Sequence, residues 1–213
     1  MRDLPKTRQS LLLRLSERSD DAWAEFLQIY EKAIYEFCRK RGLQDADSKD
    51  VTQDVLAAID RKVDSWKNDP KKGTFRGWIY RVARNIAVDK FLERSRKVAA
   101  SGDSQIGQVL AQWPGRTDEE STQFWMEYRR SLMHWAADQV RPNVSDAAWK
   151  SFWLTAIDGR SSNDVAAELG MSVGNVYTAK CRVFARIRKV VEQLGDDDFE
   201  SASINSISQL KEH

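Results

Sequence analysis

The sequence predicts an all-α protein: two small helical domains joined by a flexible linker. Three observations carry that expectation. Apolar residues recur at spacings of three and four through nearly every periodic segment, the period of one helix face. The pattern fades from residue 98 to 120, where VAASGDSQIGQVLAQWPGRTDEE holds three Gly and a Pro. A chain of 213 residues, 41% hydrophobic and 31% charged with eight Trp and eight Phe, has enough bulk for one or two globular cores.

In chain order, Trp23, Phe26, Leu27, Tyr30, Ile34 and Phe37 form the first apolar stripe, and Gly42 follows as a natural stop. A second helix is expected from Asp45 to Trp66, with Val51, Val55, Ile59 and Val63 at steps of four. Asn68-Asp69-Pro70 and Gly73 then read as a turn. A third helix, from Thr74 to about Arg96, places Phe75, Ile79, Val82 and Ile86 on its inner face. Across the linker, Phe124, Tyr128, Leu132 and Trp135 mark a helix ending at Arg141-Pro142-Asn143. Trp149, Phe152, Trp153 and Ala156 mark another, ending at Asp158-Gly159, and two shorter helical elements follow. The expected domains are 1–97 and 121–194, with the linker at 98–120 and an acidic, then Ser-rich, frayed tail at 195–213. As a flexible coil, the linker would span ~26 Å r.m.s..

Composition excludes several classes. Cys38, Cys181, His134 and His213 have no zinc-site spacing, and two distant cysteines argue against a disulfide framework. Arg14 interrupts the early leucine run, so no secretory signal is expected, and no segment approaches the ~20 apolar residues of a membrane span. A reducing cytoplasm without membrane attachment is the expected setting. No nucleophile constellation, Gly-rich phosphate loop or metal cluster is visible. Neither enzyme activity, a metal nor a cofactor is expected.

Thirty-four basic residues against 32 acidic ones leave a net charge of only +2. The total conceals segregation. Lys71 to Lys97 holds nine bases against Asp89 and Glu93, a local +7, and Ser172 to Val190 holds five bases and no acid. Leu43 to Asp64 holds six Asp against three bases, and Glu192 to Glu200 adds five acids. Two basic helices suggest two polyanion contacts, and the acidic helix suggests a protein-docking surface.

Ser161–Ala185 has the layout of a helix-turn-helix. Ser161 can cap a short helix with Val165, Ala166 and Leu169 on its apolar side, Gly170 permits the turn, and Ser172 caps the next helix. There Asn175 and Arg182 can read adenine and guanine edges, while Thr178 and Lys180 suit phosphates and Tyr177 is exposed beside them. A plain helical hairpin is the alternative, but it would hardly give one helix five uncompensated bases. In GTFRGWIYRVARNIAVDKFLERSRK, aromatic residues alternate with arginines, a composition that stacks unpaired bases while holding the backbone. Arg81 and Asn85, one turn apart, could address the same nucleotide, and Trp78 is either a base-stacking or a core residue. Asp47, Asp50 and Asp54 share a helix face beside Gln53, without a histidine.

In this order, the segments resemble an extracytoplasmic-function (ECF) RNA polymerase sigma factor, over about residues 9–97 and 121–191. DADSKDVTQDVLAAI is similar to the family's core-binding motif, FRGWIYRVARNIAVDKF to the segment that melts and reads the −10 element, and GRSSNDVAAELGMSVGNVYTAKCRVFARIR to the −35-reading helix-turn-helix. FRGW together with VYTAKCRV looks most like the planctomycete subgroup. The resemblance implies a sigma region 2 bundle and a sigma region 4 helix-turn-helix. It implies that Asp50, Gln53 and Asp54 dock on the polymerase β′ clamp coiled coil. Trp78, Arg81, Arg84 and Asn85 would serve the −10 element, and Asn175, Tyr177, Thr178, Lys180 and Arg182 the −35 element. The implied partners are core polymerase, including its β flap, promoter DNA and a candidate anti-sigma factor. Many relatives carry Arg at the positions of Tyr177 and Ala179, so the −35 sequence read here is expected to differ. The alternatives are a dimeric helix-turn-helix regulator and a Mg²⁺ nuclease built on Asp47, Asp50 and Asp54.

Overall fold

The structure, a computed structural model, describes residues 11–65, 75–100 and 118–193. Among these there is no strand, and they fall into two compact units, Leu11–Ser131 and the residues from Leu132 on. The turn at residues 68–73, linker residues 101–117 and the expected tail lie outside the described residues.

The first unit opens with α1 (Leu11–Ser16), α2 (Asp20–Lys40) and α3 (Asp45–Lys62), which tightens into a 3₁₀ turn at Val63–Ser65. Ser19 caps α2, its side chain accepting from the Ala22 N–H, with Asp20 and Asp21 complementing the N-terminal dipole. Gly42 takes φ 85 after the helix, where a left-handed residue ends the run. Short α1 was not anticipated. It joins α2 through Arg18, which takes φ 58 and reaches Asp60 at 2.5 Å and Asp64 at 2.7 Å on the far end of α3.

Val51, Val55, Ile59 and Val63 are buried along α3 as their spacing requires. In α2, however, Leu27 stands exposed, and Ile29 and Ala33 take the interior with Phe26, Tyr30, Ile34 and Phe37. Helix α4 (Phe75–Ala100) extends into the first three residues expected to be linker. Its buried row is Ile79, Tyr80, Ala83, Ala87 and Phe91, whereas Phe75, Val82 and Ile86 are only half-buried. The inner face is thus turned from the expected one, because α4 is packed from two sides by α3 and by an aromatic cluster.

That cluster includes α5 (Asp118–Val140), whose first part belongs to the first unit. Phe124 is fully buried, edge-on to Phe37 at 5.4 Å and 5.4 Å from Tyr80, and Tyr128 lies 4.9 Å from Tyr30. The buried carboxylate of Glu127 meets Lys40 of α2 at 2.7 Å. The unit boundary, between Ser131 and Leu132, therefore falls beyond the residue 121 at which the second domain was expected to start.

In the second unit, the rest of α5 buries Leu132, Met133, Trp135 and Val140. A 3₁₀ turn at Arg141–Asn143 contains Pro142, which cannot continue a helix ladder. Helix α6 (Asp146–Phe152), capped by Ser145, widens into a π-turn at Trp153–Ile157, where the Thr155 hydroxyl donates to the Ser151 carbonyl at 2.6 Å. Helix α7 (Ser162–Leu169) ends at Gly170, φ 62, and α8 (Val173–Gln193) follows. Ser161 Oγ accepts from the Asp164 N–H at 3.1 Å and Ser172 Oγ from the Asn175 N–H at 3.2 Å, so both helices start at the anticipated caps. Val165, Val176, Val183 and Ile187 close the core, completing the helix-turn-helix.

Because fully buried Phe124 packs against both Phe37 and Tyr80, Phe124→Ala is expected to cost about 3–5 kcal/mol of stability. Met126→Ala, at a side chain 53% exposed on the same helix, should stay within about 0.5 kcal/mol. Denaturant unfolding of the two variants checks the contrast.

Candidate nucleic-acid interface

The burial of α4 decides what its other side presents. With the row Ile79–Ala83–Ala87 facing inward, the helical period puts Asn85 diametrically opposite, and Asn85 is exposed. Trp78 and Arg81, two turns and one turn earlier, flank the same outward side and are half-buried. Trp78 stacks on Phe75 with ring centroids 5.5 Å apart, so the two rings support each other while Trp78 keeps part of its surface open. Arg84 is also half-buried, but its helical position lies nearer the packed flank. Three of the four residues expected to serve the −10 element thus share one side of one helix. Tyr80, from the same aromatic-basic segment, belongs to the core.

The local charge of α4 is smaller than its sequence count. Arg94 meets Asp47 of α3 at 3.1 Å, and Lys90 meets Asp50 at 3.0 Å and Asp47 at 3.9 Å. The hydrogen bond to Asp50 holds the Lys90 ammonium above its ordinary value. Part of the acidic face on α3 is therefore used inside the bundle. Asp50 is shared with Lys90, while Gln53 and Asp54 stand exposed. Beside Gln53 lies a groove of about 330 Å³ between α2 and α3, reached also by Leu27, Lys32, Tyr35 and Lys49. The Tyr35 hydroxyl donates to Asp45 at 2.6 Å, and this bond, with that from Lys49, lowers the Asp45 carboxyl below its usual range. Sequence reading missed the groove. Its only signal was Leu27, an apolar residue at the edge of the α2 stripe.

In the second unit, Asn175, Tyr177, Thr178 and Arg182 are all exposed on α8. Lys180 is half-buried and lies toward the packed row Val176–Val183–Ile187, away from the outward side. The Thr178 hydroxyl donates to the Gly174 carbonyl at 2.8 Å. Arg186 hydrogen-bonds the Asn143 carbonyl, tying α8 to the turn before α6. The arginine-rich second half of α8 thus serves partly as a clamp. Among the described residues, no group of three or more His, Cys, Asp or Glu is placed to hold a metal ion, and no helix is long and apolar enough to cross a membrane.

Residues 26–97 match the Sigma-70 region 2 family. The chain is 22% identical to the ECF RNA polymerase sigma factor SigE of Mycolicibacterium smegmatis, over 85% of this chain and 66% of that protein, slightly under two thirds of its length. It is 23% identical to the RNA polymerase sigma factor NccH of Alcaligenes xylosoxydans xylosoxydans, over 88% of this chain and 96% of that one. The family match thus covers about a third of the chain, and both of these relatives are sigma factors. A solved structure of CnrH in complex with the cytosolic domain of CnrY is 21% identical, covering 85% of this chain and 95% of that one, with a TM-score of 0.34. The region 2 match spans α3 and nearly all of α4, and so contains both the acidic face of α3 and the Asn85 side of α4.

The two thiols of the chain differ by burial. Cys38 is enclosed in α2, and desolvation pushes its thiol up to about 12, whereas Cys181 is exposed on α8. A thiol reagent at neutral pH is expected to modify Cys181 promptly and Cys38 only on unfolding, because the thiolate is the reactive form. Mass spectrometry of the labelled chain, with Cys181→Ser as control, checks the order.

Proposed function

We propose that this chain is an ECF sigma factor that brings core RNA polymerase to promoters through two separate DNA faces, one on each unit. The outward side of α4 captures an unpaired −10 base at Asn85, with Trp78 available for stacking and Arg81 and Arg84 near the strand. The outward side of α8 enters the major groove at the −35 element, where Asn175, Tyr177, Thr178 and Arg182 meet base edges and phosphates and Lys180 sits at the margin. Gln53, Asp54 and the open side of Asp50 on α3 dock on the β′ clamp coiled coil, and the second unit meets the β flap. An anti-sigma partner, a cytoplasmic setting and membership of the planctomycete-like subgroup belong to the same reading, the last on FRGW and VYTAKCRV.

The observation that carries this reading is the position of Asn85. A hydrogen-bonding amide stands exposed opposite the most tightly packed row of α4, beside a supported tryptophan, within the segment that matches sigma-70 region 2. Opening DNA costs free energy, which captured bases and polymerase contacts offset. The chemistry of RNA synthesis belongs to the polymerase. This sigma factor supplies recognition and base capture.

Reconstitution with bacterial core polymerase on a promoter library tests the reading. Sequence-specific initiation that depends on the added chain is the expected outcome. Tight promoter binding by the isolated chain, with no stimulation of initiation under any condition, would instead fit a dimeric helix-turn-helix regulator and overturn it.

A further inference from the structure

The outward side of α8 has two chemically different flanks. By helical position, the line opposite the buried residues runs through Gly174, Thr178, Cys181 and Ala185, all small. On one flank stand Asn175 and Arg182, both able to pair with purine edges. On the other stand Val173, 44% exposed, and Tyr177, 64% exposed, one turn apart at the start of the helix. Among the described residues of the second unit, these are the two large hydrophobic side chains that stand exposed. A methyl group added at Gly174 would meet nothing within 4 Å, so no neighbour inside the protein demands glycine in this first turn. Alanine there would favour the helix. Val173, Gly174 and Tyr177 together make a patch whose shape nothing within the unit explains.

We infer that Val173 and Tyr177 form an apolar reading edge for thymine methyl groups in the −35 element, with Gly174 leaving room for the base pair to approach. The occupant follows from the surroundings. The patch lies on a helix that carries exposed Arg182 and Arg188 and has no acidic residue from Val173 to Val190, which suits a polyanion. Recognition helices present their early residues to the major groove. The one apolar group a base pair offers there is the C5-methyl of thymine. A valine at the first helical position adds no hydrogen bond to that groove, and its contribution is contact with that methyl. Asn175 and Arg182, on the opposite flank, meet purine N7, N6 or O6 atoms, so the two flanks divide the readout by chemistry.

This inference rests on the sigma-factor reading, and its test separates the two. On a promoter at which the holoenzyme initiates, each −35 thymine of either strand is replaced in turn by deoxyuridine, which removes only the methyl group. Initiation by the wild-type holoenzyme is expected to fall about fourfold at one or two positions, the value of burying one methyl group. Val173→Ala or Tyr177→Ser should abolish that sensitivity at one position each, with thermal unfolding unchanged because both side chains are exposed. A flat deoxyuridine scan, undiminished sensitivity in both variants, or an optimal −35 element without thymine on either strand overturns the reading edge while leaving the sigma function standing. Absence of initiation on every promoter overturns both.

Discussion

The mutual packing of Phe124, Phe37 and Tyr80 is the contact on which the geometry of the first unit depends. Tyr80 lies on α4, so whatever fixes Tyr80 fixes the rotation of that helix about its axis. The aromatic cluster pulls one side of α4 inward, and Ala83 and Ala87 let the helix approach its neighbours closely. Asn85 then has only one direction left, toward solvent. Aromatic pairs of this geometry add about 0.5–1.5 kcal/mol each beyond simple burial, and here they set orientation as well as stability.

Charge is arranged on the same principle. The aspartates of α3 and the bases of α4 lie close because the two helices pack together, and Asp47 neutralises Arg94 while Asp50 neutralises Lys90. Such partly exposed pairs contribute little to stability. Their effect is to restrict the free positive field of α4 and leave Gln53 and Asp54 as the open part of the α3 face. At the far end of α3, Arg18 draws two further aspartates into a staple with the turn before α2. A net charge of +2 is thus the remainder of several local neutralisations and says little about nucleic acid.

Much of this was legible in the sequence. The start of α3, both caps of the helix-turn-helix and the buried row of α3 follow from helical periodicity and local residue chemistry alone. The inner face of α4 did not. Its core row uses two alanines and a tyrosine, which hydropathy ranks below Val82 and Ile86, and only the neighbouring aromatic rings make that row the buried one. Leu27 was misplaced for a similar reason, since it falls at the margin of the stripe, where packing from one side decides burial. Six-residue α1 is too short to show a period. Lys180 counted as a DNA-facing base on charge, but its position along α8 turns it toward the core.

The central claim is that α4 is held so that Asn85 meets a single unpaired base. It is tested most directly by placing a 2-aminopurine in the −10 element and comparing the wild-type and Asn85→Ala holoenzymes. Closed-complex formation should be preserved to within about twofold, while the fluorescence rise on opening falls roughly tenfold, the cost of one lost enclosed hydrogen-bonding partner. Equal loss in both steps, or normal opening by the variant, would contradict the account.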